Sequence, residues 1–555
     1  MATPAVEVFA NDALITNLVK LRDTFPGAVV YDEYGIEADY EALLDDVMHL
    51  RQVLRTKLSP DSLDSRGLLR PGSKHIATMT VSVYYFIVSF IAIASLGGAS
   101  VPLSPTGSLN DTAFSVSKVY ACCILFDPWT VEQFLLVKDH FETTPDKRIN
   151  TIQMERAERS SISPHIEVDE SLTISESDTC LIMFSSGTTG KPKGIALPRK
   201  AFFINLKMNP TAVFMTYRPV HWMGSAASPL ANVMRGVRVR ALKRGADPGR
   251  IWDVLKEGTI TMTSLTPVRL KAMKDFYHST ISHLPSEEHD KYISGASKLQ
   301  SVFSSGSVLN PSTVQFWKNL TNMPISSVFG MTELGCGKFG TSPGSPFVEQ
   351  CIGEPIPGLL VKLSDGDTGQ LLVKYPGMFT HYIGDEEATK AAFDEEGYFK
   401  TGDVVRRDGK QYIFLGRGSS DLSVLEMEQR LLNLPYVTEA HVLPIMDYEA
   451  RELVAALIRL EPGHDGINLE KIRADLSPTT ESYKLPRVLR ILQEGEITPV
   501  TGSEKSGKAQ IREKYFKVAG YRPSDYAVPG VEFYGNETGH YFAQGSKTGE
   551  PSRTA

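Results

Sequence analysis

Up to about Gly416, short unbroken apolar runs alternate with stretches of helical period. This alternation is the signature of strands and helices layered in an α/β fold. "CLIMFSS" from Cys180 reads as a buried strand, and "SVFSSGS" and "ISSVFGMTE" as strands that end in loops. "YFKTGDVVRRDGKQYIFLGR" reads as strands around a turn, with Asp408-Gly409 as the turn signal. Beyond Arg417 the scale changes. Val424 to Leu434 is helical and stopped by Pro435, "VTEAHVLPI" and "ELVAALIRL" are strands, a helix covers Leu469 to Leu476, and "RVLRIL" is another strand. The pattern therefore predicts a large α/β domain over 1–416 and a small α+β domain over 417–520, the latter of about 100 residues, enough for its own core. The stretch 521–555 is rich in glycine and polar residues and is expected to be loosely ordered.

One segment needs a separate decision. No residue from Ile76 to Asn110 is charged, and "VSVYYFIVSFIAIASLGG" lies inside it. A membrane helix needs roughly 20 apolar residues, so length alone qualifies. Hydroxyls and glycines are scattered through the segment, however, Pro102 and Pro105 follow, and no basic cluster flanks either end. A helix that is apolar all round also suits the core of a large protein, and this is the expectation here.

Composition narrows the possible partners. Of 555 residues 42 % are hydrophobic and 22 % charged, ordinary for a globular chain, and a net charge of −7 offers no excess to hold a nucleic-acid backbone. Cys122, Cys123, Cys180, Cys336 and Cys351 form neither a zinc-type spacing nor an even framework, which points to a reduced, cytoplasmic setting. The opening "MATPAVEVFANDALITN" has no signal- or transit-peptide pattern.

The chemistry concentrates in "SSGTTGKPKG", Ser185 to Gly194, with three glycines, four hydroxyls and two lysines. Glycines let backbone approach a ligand, successive N–H groups and hydroxyls can wrap an anion, and lysines add charge, so the segment suits a polyphosphate. It is not a standard P-loop: Ser185 stands where the first glycine belongs and Pro192 where the metal-holding hydroxyl belongs. "GSEKSGKA" at Gly502 to Ala509 fails at its last residue, since Ala509 cannot ligand a metal. "GTSPG" at Gly340 to Gly344 fails as a nucleophile elbow because Pro343 has no N–H for an oxyanion hole.

The strap and four further segments, in order, resemble the adenylate-forming superfamily of acyl-CoA synthetases, luciferases and adenylation domains. These are "FGMTE" (Phe329 to Glu333), "TGD" (Thr401 to Asp403), "GRGSSD" (Gly416 to Asp421) and "KSGK" (Lys505 to Lys508). "HWMG" at His221 to Gly224 resembles the H-x-x-G that precedes the acid pocket. The resemblance implies a large multi-sheet domain followed by a small mobile one. It also implies attack of a small carboxylic acid on the α-phosphate of ATP, with Mg²⁺, to give an acyl-adenylate. Ser185, Ser186, Gly187, Thr188, Thr189, Gly190 and Lys191 would hold the β- and γ-phosphates. Thr332 would bond the α-phosphate, Glu333 would hold Mg²⁺, Phe329 would stack on adenine, Asp403 would accept the ribose hydroxyls and Arg417 would add charge nearby. Lys508 would bridge the carboxylate and the α-phosphate, and His221 would face the acid.

Transfer to a thiol, CoA by default, would follow. In relatives a glycine-containing hairpin after the hinge, here Asp421, lines the thiol tunnel. About eight residues of it are missing from "GRGSSDLSVLEMEQRLL", so a shorter loop suffices, the acceptor differs, or a segment has been lost. A carrier protein acting in trans in a secondary-metabolite type pathway, or a non-catalytic nucleotide-binding relative, are the alternatives. Some stretches are similar to the malonyl-CoA synthetase group, but the position of its second-carboxylate grip is Ala272, with Arg269 and Lys271 beside it, so malonate does not carry over. The stretch "HWMGSAASPLANVM" suits a medium aliphatic or aromatic acid.

Overall fold

The computed structural model describes residues 6–143, 149–158, 165–185, 192–202, 209–417, 424–447, 451–464, 466–480, 484–499, 507–516, 530–535 and 539–542. The chain packs into two compact units. The first takes Met1–Lys362, Leu372–Thr401 and Gly409–Tyr412, and the second takes Leu363–Leu371, Gly402–Asp408 and Ile413–Ala555. The division thus falls inside the hairpin of strands Phe399–Asp408 and Gln411–Arg417 rather than cleanly at residue 416, because those strands run on through both units.

Two large sheets and a parallel pair, Val6–Asn11 with His165–Thr173, lie in the first unit among the described residues. One has seven strands in the spatial order His381–Tyr382, Gly194–Pro198, Thr179–Phe184, Ala99–Leu103, His75–Met79, Cys123–Phe126 and Asn150–Gln153. Pairing is parallel from Thr179–Phe184 onward and antiparallel on the His381 side. The other carries a parallel run, Ile325–Phe329, Ser301–Ser305, Met262–Ser264, Val213–Thr216, Arg238–Ala241 and Val30–Asp32, with antiparallel pairs at either end of it. Strands Ala99–Leu103 and Cys123–Phe126 of the first sheet are buried along their whole length, whereas Arg238–Ala241 and Ser301–Ser305 of the second alternate buried and half-buried positions.

The charge-free segment is core. It folds as the strand His75–Met79, the helix Val83–Ser95 and the strand Ala99–Leu103, and all thirteen residues of that helix are buried. Its serines are tolerated because they bond their own helix: Ser89 Oγ donates to the Phe86 carbonyl at 3.0 Å and Ser95 Oγ to that of Ala92 at 2.8 Å. Ser82 starts the helix by accepting the Tyr85 N–H, while its hydroxyl donates to buried Asp32 at 2.8 Å. Among the described residues no helix is long and apolar enough to cross a membrane.

The second unit holds a sheet in the order Val437–Asp447, Arg451–Leu460, Val488–Ile491, Val531–Gly535 and Gly539–Phe542. The helix after residue 423 ends at Leu432, short of Pro435, and Leu469–Leu476 is helical as the pattern predicts. Within 521–555 the described residues 530–535 and 539–542 carry two strands, and the rest lies outside the described residues: Val531–Gly535 pairs antiparallel with Val488–Ile491, and Val531 is fully buried. Sheet pairing supplies there what the polar composition does not.

An ion network pins this sheet. Glu439 accepts from His441 at 3.0 Å, from Thr498 at 2.5 Å and from Arg459 at 2.8 Å. Burial alone would raise its carboxyl, but these three donors outweigh burial and hold it down from 4.5 to about 2. A carboxyl depressed by folding stabilises the native state above its unfolded pKa and loses that contribution as pH falls through the folded one. Protection factors of amides in strands Val437–Asp447 and Arg451–Leu460, taken as exchange relative to the intrinsic rate at each pH, are therefore expected to fall between about pH 4.5 and 2, and Glu439→Gln to flatten that dependence. A wild-type profile identical to the variant's would remove Glu439 from the account.

Candidate functional site

The two ends of the polyphosphate-type strap lie beside paired strands. Strands Thr179–Phe184 and Gly194–Pro198 are antiparallel, with Phe184 opposite Gly194, and the Ser185 N–H donates to the Lys193 carbonyl at 3.1 Å. Ser186, Gly187, Thr188, Thr189, Gly190 and Lys191 lie outside the described residues, as do Lys505 and Ser506 of the distal motif and the hinge Asp421.

The base of the strap meets "FGMTE". Phe329 ends the strand Ile325–Phe329 with its ring edge-on to buried Phe339, centroids 5.9 Å apart. Thr332 and Glu333 follow on a single 3-10 turn, Thr332–Leu334, both half-buried. That turn is locked by its neighbours. The Phe379 N–H donates to the Glu333 carbonyl at 2.8 Å, and a Cβ on Gly335, whose φ is +61°, would stand 2.4 Å from the Gly377 carbonyl oxygen.

Tyr382, to which sequence reasoning gave no role, ties the two segments together. Its strand pairs with the strap's second strand, Tyr382 opposite Ile195. Its hydroxyl donates to Glu333 Oε1 at 3.1 Å, and the ammonium of Lys193 sits 4.7 Å from its ring centroid. Lys193, the second lysine of the strap, was likewise missed. The Tyr382–Glu333 contact spans 49 residues, which no local spacing rule detects.

Glu333 presents a hard carboxylate of the kind Mg²⁺ takes. No group of three or more His, Cys, Asp or Glu side chains that could hold a metal gathers among the described residues. Tyr382→Phe frees the carboxylate to rotate. The Mg²⁺ concentration needed for half-maximal activity is expected to rise several-fold, with the melting temperature nearly unchanged because the hydroxyl is part-buried. An unchanged Mg²⁺ requirement would show that Tyr382 does not orient Glu333.

His221 precedes the helix Met223–Val233, its ring 5.6 Å from that of Trp222. Burial first, and the positive Arg244 second, push its pKa down to about 4, so it is a neutral imidazole at pH 7. Its Nδ1 has no hydrogen-bond partner among the described residues. The candidate second-carboxylate cations are engaged elsewhere. Arg269 lies over the Tyr217 ring at 4.9 Å and donates to the Ala246 carbonyl, and Lys271 pairs with Asp275 at 2.8 Å.

The remaining expected residues belong to the second unit. Asp403 lies on strand Phe399–Asp408 with 6 % exposure, and Arg417 closes strand Gln411–Arg417. Lys508 begins the helix Lys508–Tyr515. It is not a solvated surface lysine: it forms an ion pair with Glu428 and donates to the Val442 carbonyl at 2.6 Å.

A family model for AMP-binding enzymes matches residues 61–383. The chain is 32 % identical over 527 residues, 92 % of its length and 93 % of the relative's, to the acyl-CoA ligase oryP of Aspergillus oryzae. It is 26 % identical to the malonate–CoA ligase of Arabidopsis thaliana, over 77 % of this chain and 76 % of that one. In fold it resembles ATP-bound MatB of Rhodopseudomonas palustris, with a TM-score of 0.73 at 19 % identity over 91 % of this chain and 98 % of that one. With more than half the chain matched by one family model, and one curated relative similar along nearly its whole length, the protein belongs to the AMP-binding enzyme family.

Proposed function

We propose that the protein is an ATP-dependent acid–thiol ligase that makes an acyl-adenylate from a carboxylic acid and passes the acyl group to CoA. The observation that supports this reading is Tyr382, which donates to Glu333, lies against Lys193 and pairs through its strand with the strand that follows the strap.

A carboxylate is a poor electrophile, and esterification to AMP supplies a good leaving group. The Ser185–Lys191 strap would hold the β- and γ-phosphates, and Thr332 would bond the α-phosphate. Glu333, oriented by Tyr382, would hold Mg²⁺, which neutralises charge on the phosphates. Phe329 would stack on adenine, while Asp403 and Arg417 would face the ribose. Lys508 would bridge the acid carboxylate and the α-phosphate, stabilising charge where it develops. Neutral His221 would turn toward the acid without adding a cation. The small residues Gly224, Ser225, Ala226 and Ala227 open the first turn of its helix, consistent with a medium aliphatic or aromatic acid.

A second acceptor deserves a test for one reason: only six residues join Arg417 to the helix starting at Val424, where relatives carry a tunnel-lining hairpin. A carrier protein loaded in trans, in a secondary-metabolite type pathway of the cytoplasm, would fit that shorter connection. The deciding experiment is ATP–pyrophosphate exchange with a panel of acids, followed by mass spectrometry of acyl-AMP and of thioesters on CoA and on carrier proteins. Exchange with acyl-CoA formation supports the ligase, and thioester on a carrier alone supports the second reading. No exchange with any acid would leave a nucleotide-binding relative without turnover.

A further inference from the structure

Lys508 belongs to a closed ring of contacts inside the second unit. Glu428, on helix Val424–Leu432, accepts the Val442 N–H at 2.7 Å on the same Oε1 that pairs with the Lys508 ammonium. The ammonium also donates to the Val442 carbonyl at 2.6 Å. Both polar groups of one peptide residue and one carboxylate thus form a socket. The lysine side chain within it is 35 % exposed and that of Glu428 14 %.

Counting donors decides what this socket does. An ammonium has three N–H groups. The socket takes two, leaving one, whereas bridging a carboxylate and an α-phosphate takes at least two. The lysine cannot do both at once. We propose that Glu428 is a positioning residue that holds Lys508 in a resting pose, and that this ion pair must open before adenylation. The inference rests on the reading of Lys508 given above. It adds a residue 80 positions away that governs when the lysine is available.

The opening is modest. A partly exposed pair contributes up to about 1 kcal/mol and is weakened by salt, so removing the charge should raise the available lysine roughly two- to fivefold. Glu428→Gln keeps the shape and the acceptor for Val442 while removing the charge. In the full-length protein without nucleotide, acetylation of Lys508 by an N-hydroxysuccinimide ester, mapped by mass spectrometry against exposed Lys20, is expected to quicken by that factor. At low salt, ATP–pyrophosphate exchange is expected to rise by the same factor in the variant. Wild type should approach the variant as salt is added, while the variant responds little. Thioester formation from preformed acyl-AMP should be equal in the two.

Equal labelling, or exchange that is unchanged or lower in Glu428→Gln, would overturn the resting pose. Should that variant fail to fold, the wild-type salt series still decides, since exchange that does not rise with salt contradicts the socket. Lys508→Ala separates the two claims. Normal exchange in it removes the catalytic reading of Lys508, while the labelling result still judges the socket by itself.

Discussion

Lys508→Ala is expected to lower ATP–pyrophosphate exchange by about 10²–10³-fold, the loss that follows removal of one preorganised donor to developing charge. The fold should survive. The change leaves Glu428 bonded to the Val442 N–H, and the lost ion pair is worth only about 1 kcal/mol at its partial exposure. Circular dichroism and a melting temperature within a few degrees of wild type would establish that the loss is chemical. Lys508→Arg should not rescue, because a planar fork cannot take the place of a compact ammonium between two anions. Binding of ATP, measured by calorimetry, should weaken far less than exchange does, since the strap and Glu333 remain. Exchange within a few-fold of wild type would remove Lys508 from the chemistry and leave Asp403 and Arg417 as the second unit's remaining candidates.

The parts of this architecture that could be read from the chain are those with local signals. The strand Thr179–Phe184 stands out as an apolar run bounded by Asp178 and the strap, and helix Leu469–Leu476 as a periodic stretch capped by Asn468. Helix Val83–Ser95 is harder: with every residue buried it has no polar face, so periodicity says little, and its burial is recognisable mainly from the missing flanking charges and the prolines that follow. Strands Val531–Gly535 and Gly539–Phe542 were illegible because their order comes from pairing with Val488–Ile491 rather than from their composition. The candidate site divides the same way. Thr332, Glu333 and Lys508 announce themselves in contiguous motifs, whereas Tyr382 and Glu428 act through partners 49 and 80 residues away, which only tertiary structure brings together.

The largest expected loss of stability lies away from those motifs, at Arg199. This guanidinium is 1 % exposed and forms an ion pair with Asp12, whose side chain is 5 % exposed. Another of its nitrogens donates to the Ala94 carbonyl at 2.7 Å. Asp12 caps the helix Ala13–Thr24 by accepting the Leu14 N–H at 2.8 Å, and Arg199 directly follows the strand Gly194–Pro198 that leads out of the strap. One buried cation therefore joins the first helix, the last turn of the core helix and the end of a strap strand. Removing a single partner from such a pair strands the other charge out of water, at about 3–5 kcal/mol. Arg199→Met is expected to cost that much and Asp12→Asn somewhat less, because asparagine retains the cap. The double variant should be more stable than the sum of the two losses, since neither charge is then left alone. Denaturant unfolding of the four proteins measures this coupling directly. If the single and double losses simply add, the pair contributes nothing beyond packing, and the strap's anchorage must then rest on Tyr382 and the register of the paired strands.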